Sequence, residues 1–175
     1  MIVTRRTLLG LGGGFAAGLL LRPAFGAGRT AEIAMVGNSD GSRVGFDPVG
    51  LHVAPGARVR WVNRDAGNSH TATAYHPDLL DRPRRIPDGA EPWDSDYLLP
   101  DEVFAVTLTV PGVYDFYCVP HEHAGMVGRI VVGEPPRGWQ DYAGGGDTEG
   151  ALPHAALDRF PSVEAIMQSG IVREG

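Results

Sequence analysis

The chain of 175 residues has a single cysteine, Cys118, standing three residues before His121 and eight before Met126. A thiolate, an imidazole and a thioether on one short stretch are soft or borderline donors, the set that suits copper moving between its two oxidation states. A hairpin loop alone cannot close a trigonal site, so one further strong donor must come from a strand end distant in sequence. His70 is the candidate. It follows the turn residues Asp65 to Ser69 and begins the extended stretch Thr71 to Tyr75.

The flanks of the cysteine show what must hold the loop. Tyr114, Phe116 and Cys118 share one parity and Val113, Asp115 and Tyr117 the other, the period of two expected of a strand with one face in a core. Cys118 therefore ends a strand and faces inward. Val127 to Val132 is short, apolar and β-branched and predicts the next strand, so the donors sit on a hairpin-like connection at one pole of a β-structure. Gly125 suits the turn, and Pro120 fixes the backbone between two donors while removing an N–H that could otherwise bond the sulfur.

The run YDFYCVPHEHAGMVGRIVV resembles the copper loop of the cupredoxins, the small blue copper proteins. Cys118, His121 and Met126 have the spacing of the plastocyanin-like members, whereas azurin-like loops place the histidine two residues further on. His123 has that azurin separation, but Met126 is then one residue too near, so His121 is favoured and His123 belongs beside the site or at the surface. The segment WVNRDAGNSHTATAY is similar to the surroundings of the first copper histidine in plastocyanin and amicyanin relatives, with Thr71 where many of those carry asparagine. The resemblance covers about residues 31–133. It implies an all-β, Greek-key β-sandwich binding one type 1 copper through His70, Cys118, His121 and a weak axial Met126, and passing single electrons. It further implies that His121, with Pro120, Ala124 and Met126 around it, is the electron's exit.

Composition is consistent with that architecture. A hydrophobic content of 43%, with twenty-five glycines and fourteen prolines, favours many turns over long helices. Strands are expected at Ala31 to Gly37, Val49 to Val53, Arg58 to Arg64 and Val103 to Val110, with Pro55-Gly56 and Pro111-Gly112 as turns. Between them His76 to Glu102 holds five prolines and little periodicity. It reads as a stiffened flap with Leu79, Leu80, Trp93, Tyr97 and Leu98 as packing residues, or as a docking surface for a redox partner.

The ends lie outside the resemblance. Thr4-Arg5-Arg6-Thr7-Leu8-Leu9 and the apolar run to Leu21 read as an export signal, residues 1–26, with a twin-arginine start. Its apolar run of about 15 residues falls short of the ~20 needed to cross a bilayer, and cleavage near Gly26 would leave a mature chain without a span. A domain at 27–134 is then followed by a linker and tail at 135–175, in which Ser162 caps a short helix with Val163, Ile166 and Met167 on one face.

Export points to a periplasmic or otherwise extracytoplasmic location. There a lone cysteine cannot form an internal disulfide, and a metal thiolate accounts for it. Without residues 1–26, twelve arginines face twenty-one acids, a formal −9. Such a surface repels nucleic acid and anionic lipid and favours redox partners with a basic surface.

Three other readings compete with electron transfer. Copper delivery or storage calls for exposed methionine-rich or histidine-rich tracts rather than an enclosed thiolate. An accessory subunit or fragment of a copper oxidase or nitrite reductase calls for a histidine beside the copper cysteine, where Tyr117 and Val119 stand. In a non-blue site, Glu122 or His123 would replace Met126. No enzymatic activity is expected of the chain by itself.

Overall fold

The computed structural model describes residues 28–38, 40, 42–137, 139–142 and 152–173. The export signal expected at residues 1–26 lies outside the described residues.

Two sheets face each other. One contains β1 (Thr30–Gly37), β2 (Val44–Asp47), β4 (Ala57–Asn63) and β6 (Val103–Leu108), ordered β2-β1-β4-β6. The other contains β3 (Gly50–Val53), β5 (Thr73–Ala74), β7 (Gly112–Tyr117), β8 (Val127–Val132) and β9 (Ile171–Val172), ordered β5-β7-β8-β3-β9. The chain crosses repeatedly between the sheets, so β1 lies parallel to β4 and β3 parallel to β8, while the remaining pairs are antiparallel. This is the β-sandwich that the resemblance implies, and the limits of the strands read from the sequence fall within two residues of those observed, with the short β2 and β9 in addition.

Alternation fills the space between the sheets. In β4, Val59 and Trp61 are fully buried, whereas Arg58 is exposed. Trp61 meets the edge of Phe116 from the opposite sheet with centroids 5.3 Å apart, and Phe46 meets the same ring at 4.7 Å. Burying each such side chain contributes on the order of 2–3 kcal/mol. Cys118 and Met126 belong to this same cluster, at its edge along the chain.

One expectation about burial changes. The parity of β7 predicts one covered face, but all six of its residues are buried. The second face, carrying Val113, Asp115 and Tyr117, is covered by the C-terminal tail. Two short helices, α1 (His154–Leu157) and α2 (Val163–Ser169), lie in this tail. Val163 and Ile166 of α2 pack with Val113 and Val131, and Ser162 Oγ accepts the Ala165 N–H at 3.1 Å as its cap. The tail then returns as β9 along β3. Gly50 is required beneath it, since a Cβ there would sit 2.8 Å from both Ile166 and Pro161.

The tail is fixed by charge as well as by apolar contact. Asp115, fully buried, accepts from Arg85 Nε at 2.9 Å and from Arg129 Nε at 2.7 Å. Arg129 also donates to Asp141 and to the Pro161 carbonyl. The Phe160 ring receives both guanidinium groups, at 4.9 and 5.1 Å.

The 76–102 segment is more than a cover. Its stretch Trp93 to Leu98 runs beside residues 70–74, with paired backbone bonds between His70 and Leu98 at 3.1 and 2.8 Å and further ones joining Ala72 to Ser95 and Ala74 to Trp93. Trp93 and Leu98 are buried as expected, but Leu80 and Tyr97 are 62% and 53% exposed and do not act as packing residues.

Candidate metal centre

The pairing of strands brings the sequence-distant donors together. In β7 and β8, Tyr117 stands opposite Val127, so the intervening residues 118–126 form one loop, containing a 3-10 turn at Val119–Ala124. Gly125 closes this turn at φ 82°, a left-handed conformation that favours glycine. The Met126 N–H donates to the His121 carbonyl at 3.1 Å and the Cys118 N–H to the Met126 carbonyl at 3.0 Å, so the three loop donors share one backbone clamp. Thr73 of β5 stands opposite Tyr117, which carries the 70–72 stretch to the end of β7.

The result is convergence. His70 Nδ1 lies 3.6 Å from Cys118 Sγ, His121 Nδ1 lies 3.4 Å from it, and the two imidazole nitrogens are 3.2 Å apart. His70, Cys118 and Met126 are fully buried, and His121 is partly exposed. The structure thus brings together the three strong donors read from the sequence, with Met126 buried in the same cluster as the sulfur. His123 is exposed, as the spacing predicts.

Thr71 ties the two ligand-bearing segments. Its N–H points to Cys118 Sγ at 3.3 Å, and its hydroxyl accepts the Val119 N–H at 2.9 Å. The bridge that the resemblance places on asparagine is made here by a threonine.

Burial sets the protonation of this cluster. Burial pushes the Cys118 thiol up to about 11, partly offset by the Thr71 N–H. Burial and the neighbouring His70 lower the His121 imidazole, which keeps its nitrogen available as a donor. A metal ion bound among the three would displace the thiol proton and take one lone pair from each. With a thioether beside a thiolate and two imidazoles, the donor chemistry fits copper; structural zinc takes four good nitrogen, sulfur or oxygen donors.

Comparison with known proteins agrees with the geometry. The family model for copper binding proteins of the plastocyanin/azurin family matches residues 32–133. The chain belongs to this family. Plastocyanin from Lactuca sativa is 38% identical over 104 residues, covering 58% of this chain and 99% of that protein. Pseudoazurin from Paracoccus pantotrophus is 32% identical over 121 residues, covering 69% and 75%. Among solved structures, a Sinorhizobium pseudoazurin superimposes with a TM-score of 0.54 at 28% identity, covering 81% of this chain and 98% of that one. The cofactor that family and donor set together specify is copper.

The contacts of two residues at the site were not legible in the sequence. Asp65, which reads as an ordinary turn residue, is buried with Oδ2 3.0 Å from His70 Nε2. Burial alone would raise its carboxyl, but hydrogen bonds from Asn68, the Gly67 N–H and His70 hold it at about 2. Glu122, read from the sequence as a possible replacement for Met126 in a non-blue site, is buried, accepts the Tyr75 hydroxyl at 2.7 Å and pairs with Arg82. That pairing excludes it as a free replacement for Met126. Neither residue carries a signal in spacing, because both partners lie in the irregular turns and flap.

Proposed function

We propose that this protein is an extracytoplasmic type 1 copper electron carrier in which His70, Cys118 and His121 hold the ion and Met126 is a weak axial donor. One observation carries the assignment: the meeting of His70 Nδ1, Cys118 Sγ and His121 Nδ1 around one point although their residues are separated by up to 51 positions. Copper, when bound, supplies a one-electron couple. The residues around it supply rigidity, since His70 is held by Leu98, Cys118 by Thr71 and Met126, and the loop backbone by Gly125. Little rearrangement then accompanies the change of charge.

His121 is the donor with an exposed edge, and Pro120, His123 and Ala124 around it are exposed or half-exposed. This surface is where an electron leaves or enters. The acidic surface of the remaining chain favours redox partners that are basic. Cleavage of the signal near Gly26 places the sandwich outside the cytoplasm, and among the described residues no helix is long and apolar enough to cross a membrane. An enclosed thiolate, fully buried, favours electron transfer over copper delivery, which needs ready release of the ion.

The test is one pair of spectra. Copper-loaded, oxidised protein is expected to show an intense thiolate-to-copper band that bleaches on one-electron reduction and returns on oxidation. Absence of that band from protein containing stoichiometric copper would defeat the ligand assignment.

A further inference from the structure

The two ring nitrogens of His70 have different surroundings, and only Nδ1 faces the other donors. Its Nε2 lies 3.0 Å from Asp65 Oδ2, with both side chains buried. An ionised carboxylate only accepts hydrogen bonds, so Nε2 must carry the proton. The single lone pair of the neutral ring is then on Nδ1, the atom facing Cys118 Sγ and His121 Nδ1.

The carboxylate is itself held in place. Asp65 Oδ1 accepts the Gly67 N–H at 2.9 Å, and Oδ2 also accepts from Asn68 Nδ2 at 2.8 Å. Asn63, fully buried, accepts the Asp65 N–H and donates to the carbonyls of Asn68 and Leu98. The adjacent cation, Arg64, is turned to Glu32 and Asp101 instead. On its far side the carboxylate backs onto Gly37, where a Cβ would lie 1.9 Å from Oδ2. The chain therefore makes room for this carboxylate on one strand, frames it on a turn and aims it at an imidazole.

We propose that Asp65 is a positioning residue for His70: it fixes the tautomer that leaves Nδ1 bare, and it strengthens that nitrogen as a donor so as to lower the reduction potential of the site. This rests on the reading of His70 as a copper ligand. A negative acceptor behind a coordinating imidazole raises its basicity, and the more highly charged oxidised ion gains more from that than the reduced one. His121, at the partly exposed edge of the site, meets no such group in its ring contacts with His70 and Cys118, so the two imidazoles are unequal donors.

Asp65→Asn is the discriminating variant. Two donors converge on Oδ2 and one on Oδ1, so an amide places its oxygen towards His70 and keeps the hydrogen bond while losing the charge. The thiolate-to-copper band is expected to remain. The potential is expected to rise by a roughly tenfold change in the equilibrium with a reference one-electron couple, about 59 mV. Gly37→Ala, which displaces the carboxylate without altering it, is expected to shift the potential in the same direction.

Long-range ¹⁵N–¹H correlation spectra of the metal-free protein provide a readout independent of copper. The wild-type His70 ring is expected as the Nε2–H tautomer, and Asp65→Ala as a mixture of the two, with copper affinity lower by about 10–100-fold. A wild-type potential in a coloured Asp65→Asn protein, or a wild-type His70 protonated on Nδ1, would overturn the proposal. Loss of the band from wild-type and variant alike would instead strike the ligand assignment, and the metal-free spectra would still report on Asp65.

Discussion

Two of the buried polar clusters among the described residues make an instructive contrast. Behind β7 and β8, Asp115 lies between Arg85 and Arg129, Asp141 completes the second arginine, and aromatic faces close the remainder. Every charge there has its counter-charge within the chain. At the pole, His70, Cys118 and His121 converge as a group of donors that could hold a metal ion. A buried cluster that balances itself is structural, and one that does not is a place for an ion. The contrast predicts that the first cluster governs folding and the second governs colour and potential.

Removing the sulfur should have the largest effect. Cys118→Ala is expected to abolish the intense visible band of the oxidised copper form while leaving the sandwich folded, as absorbance and circular dichroism would show together. Asp115→Ala should do the reverse. It removes the buried carboxylate that both guanidinium groups share and is expected to destabilise the fold by about 3–5 kcal/mol in urea denaturation, with the folded fraction still coloured. Met126→Leu should keep the colour and raise the potential in voltammetry, since a weak donor to the oxidised ion is lost.

The acid limb of stability separates the clusters further. Burial would raise the Asp141 carboxyl, but the hydrogen bond and charge of Arg129 outweigh it and lower the pKa. A carboxyl lowered on folding stabilises the native state above its ordinary pKa, and that contribution is lost as pH falls from about 4 downward. Asp141→Asn is therefore expected to flatten the dependence of the urea midpoint on pH in that range. The smallest effect belongs to His123→Ala, whose exposed imidazole leaves the spectrum unchanged.

These two clusters were not equally visible in the sequence. The donors at 118, 121 and 126 are close in sequence and differ in type from their neighbours, and His70 stands at the end of a turn before an extended run, so each could be singled out. The strands were legible as short apolar or alternating runs between turn residues, and the sandwich through the resemblance of the two donor-bearing segments. Arg85 lies in a proline-rich run with no period, and Trp139, Asp141 and Phe160 are scattered through a tail poor in apolar residues. Their meeting is a matter of tertiary contact alone. Asp65 was hidden for a related reason, because a turn aspartate that serves its own backbone and one that serves a histidine look the same in one dimension.

The tail reaches the metal loop itself. Leu152 and Ala156 are buried with Tyr75, Tyr117 and Val127, and a Cβ on Gly125 would lie 2.9 Å from the Ala155 carbonyl and from Arg159. One wall of the 118–126 loop is thus built from residues beyond 133, where the family match stops. A shortened version cut at that boundary would keep all four donors and lose part of their mould, so the mechanical unit of this carrier is longer than the span that the family model matches.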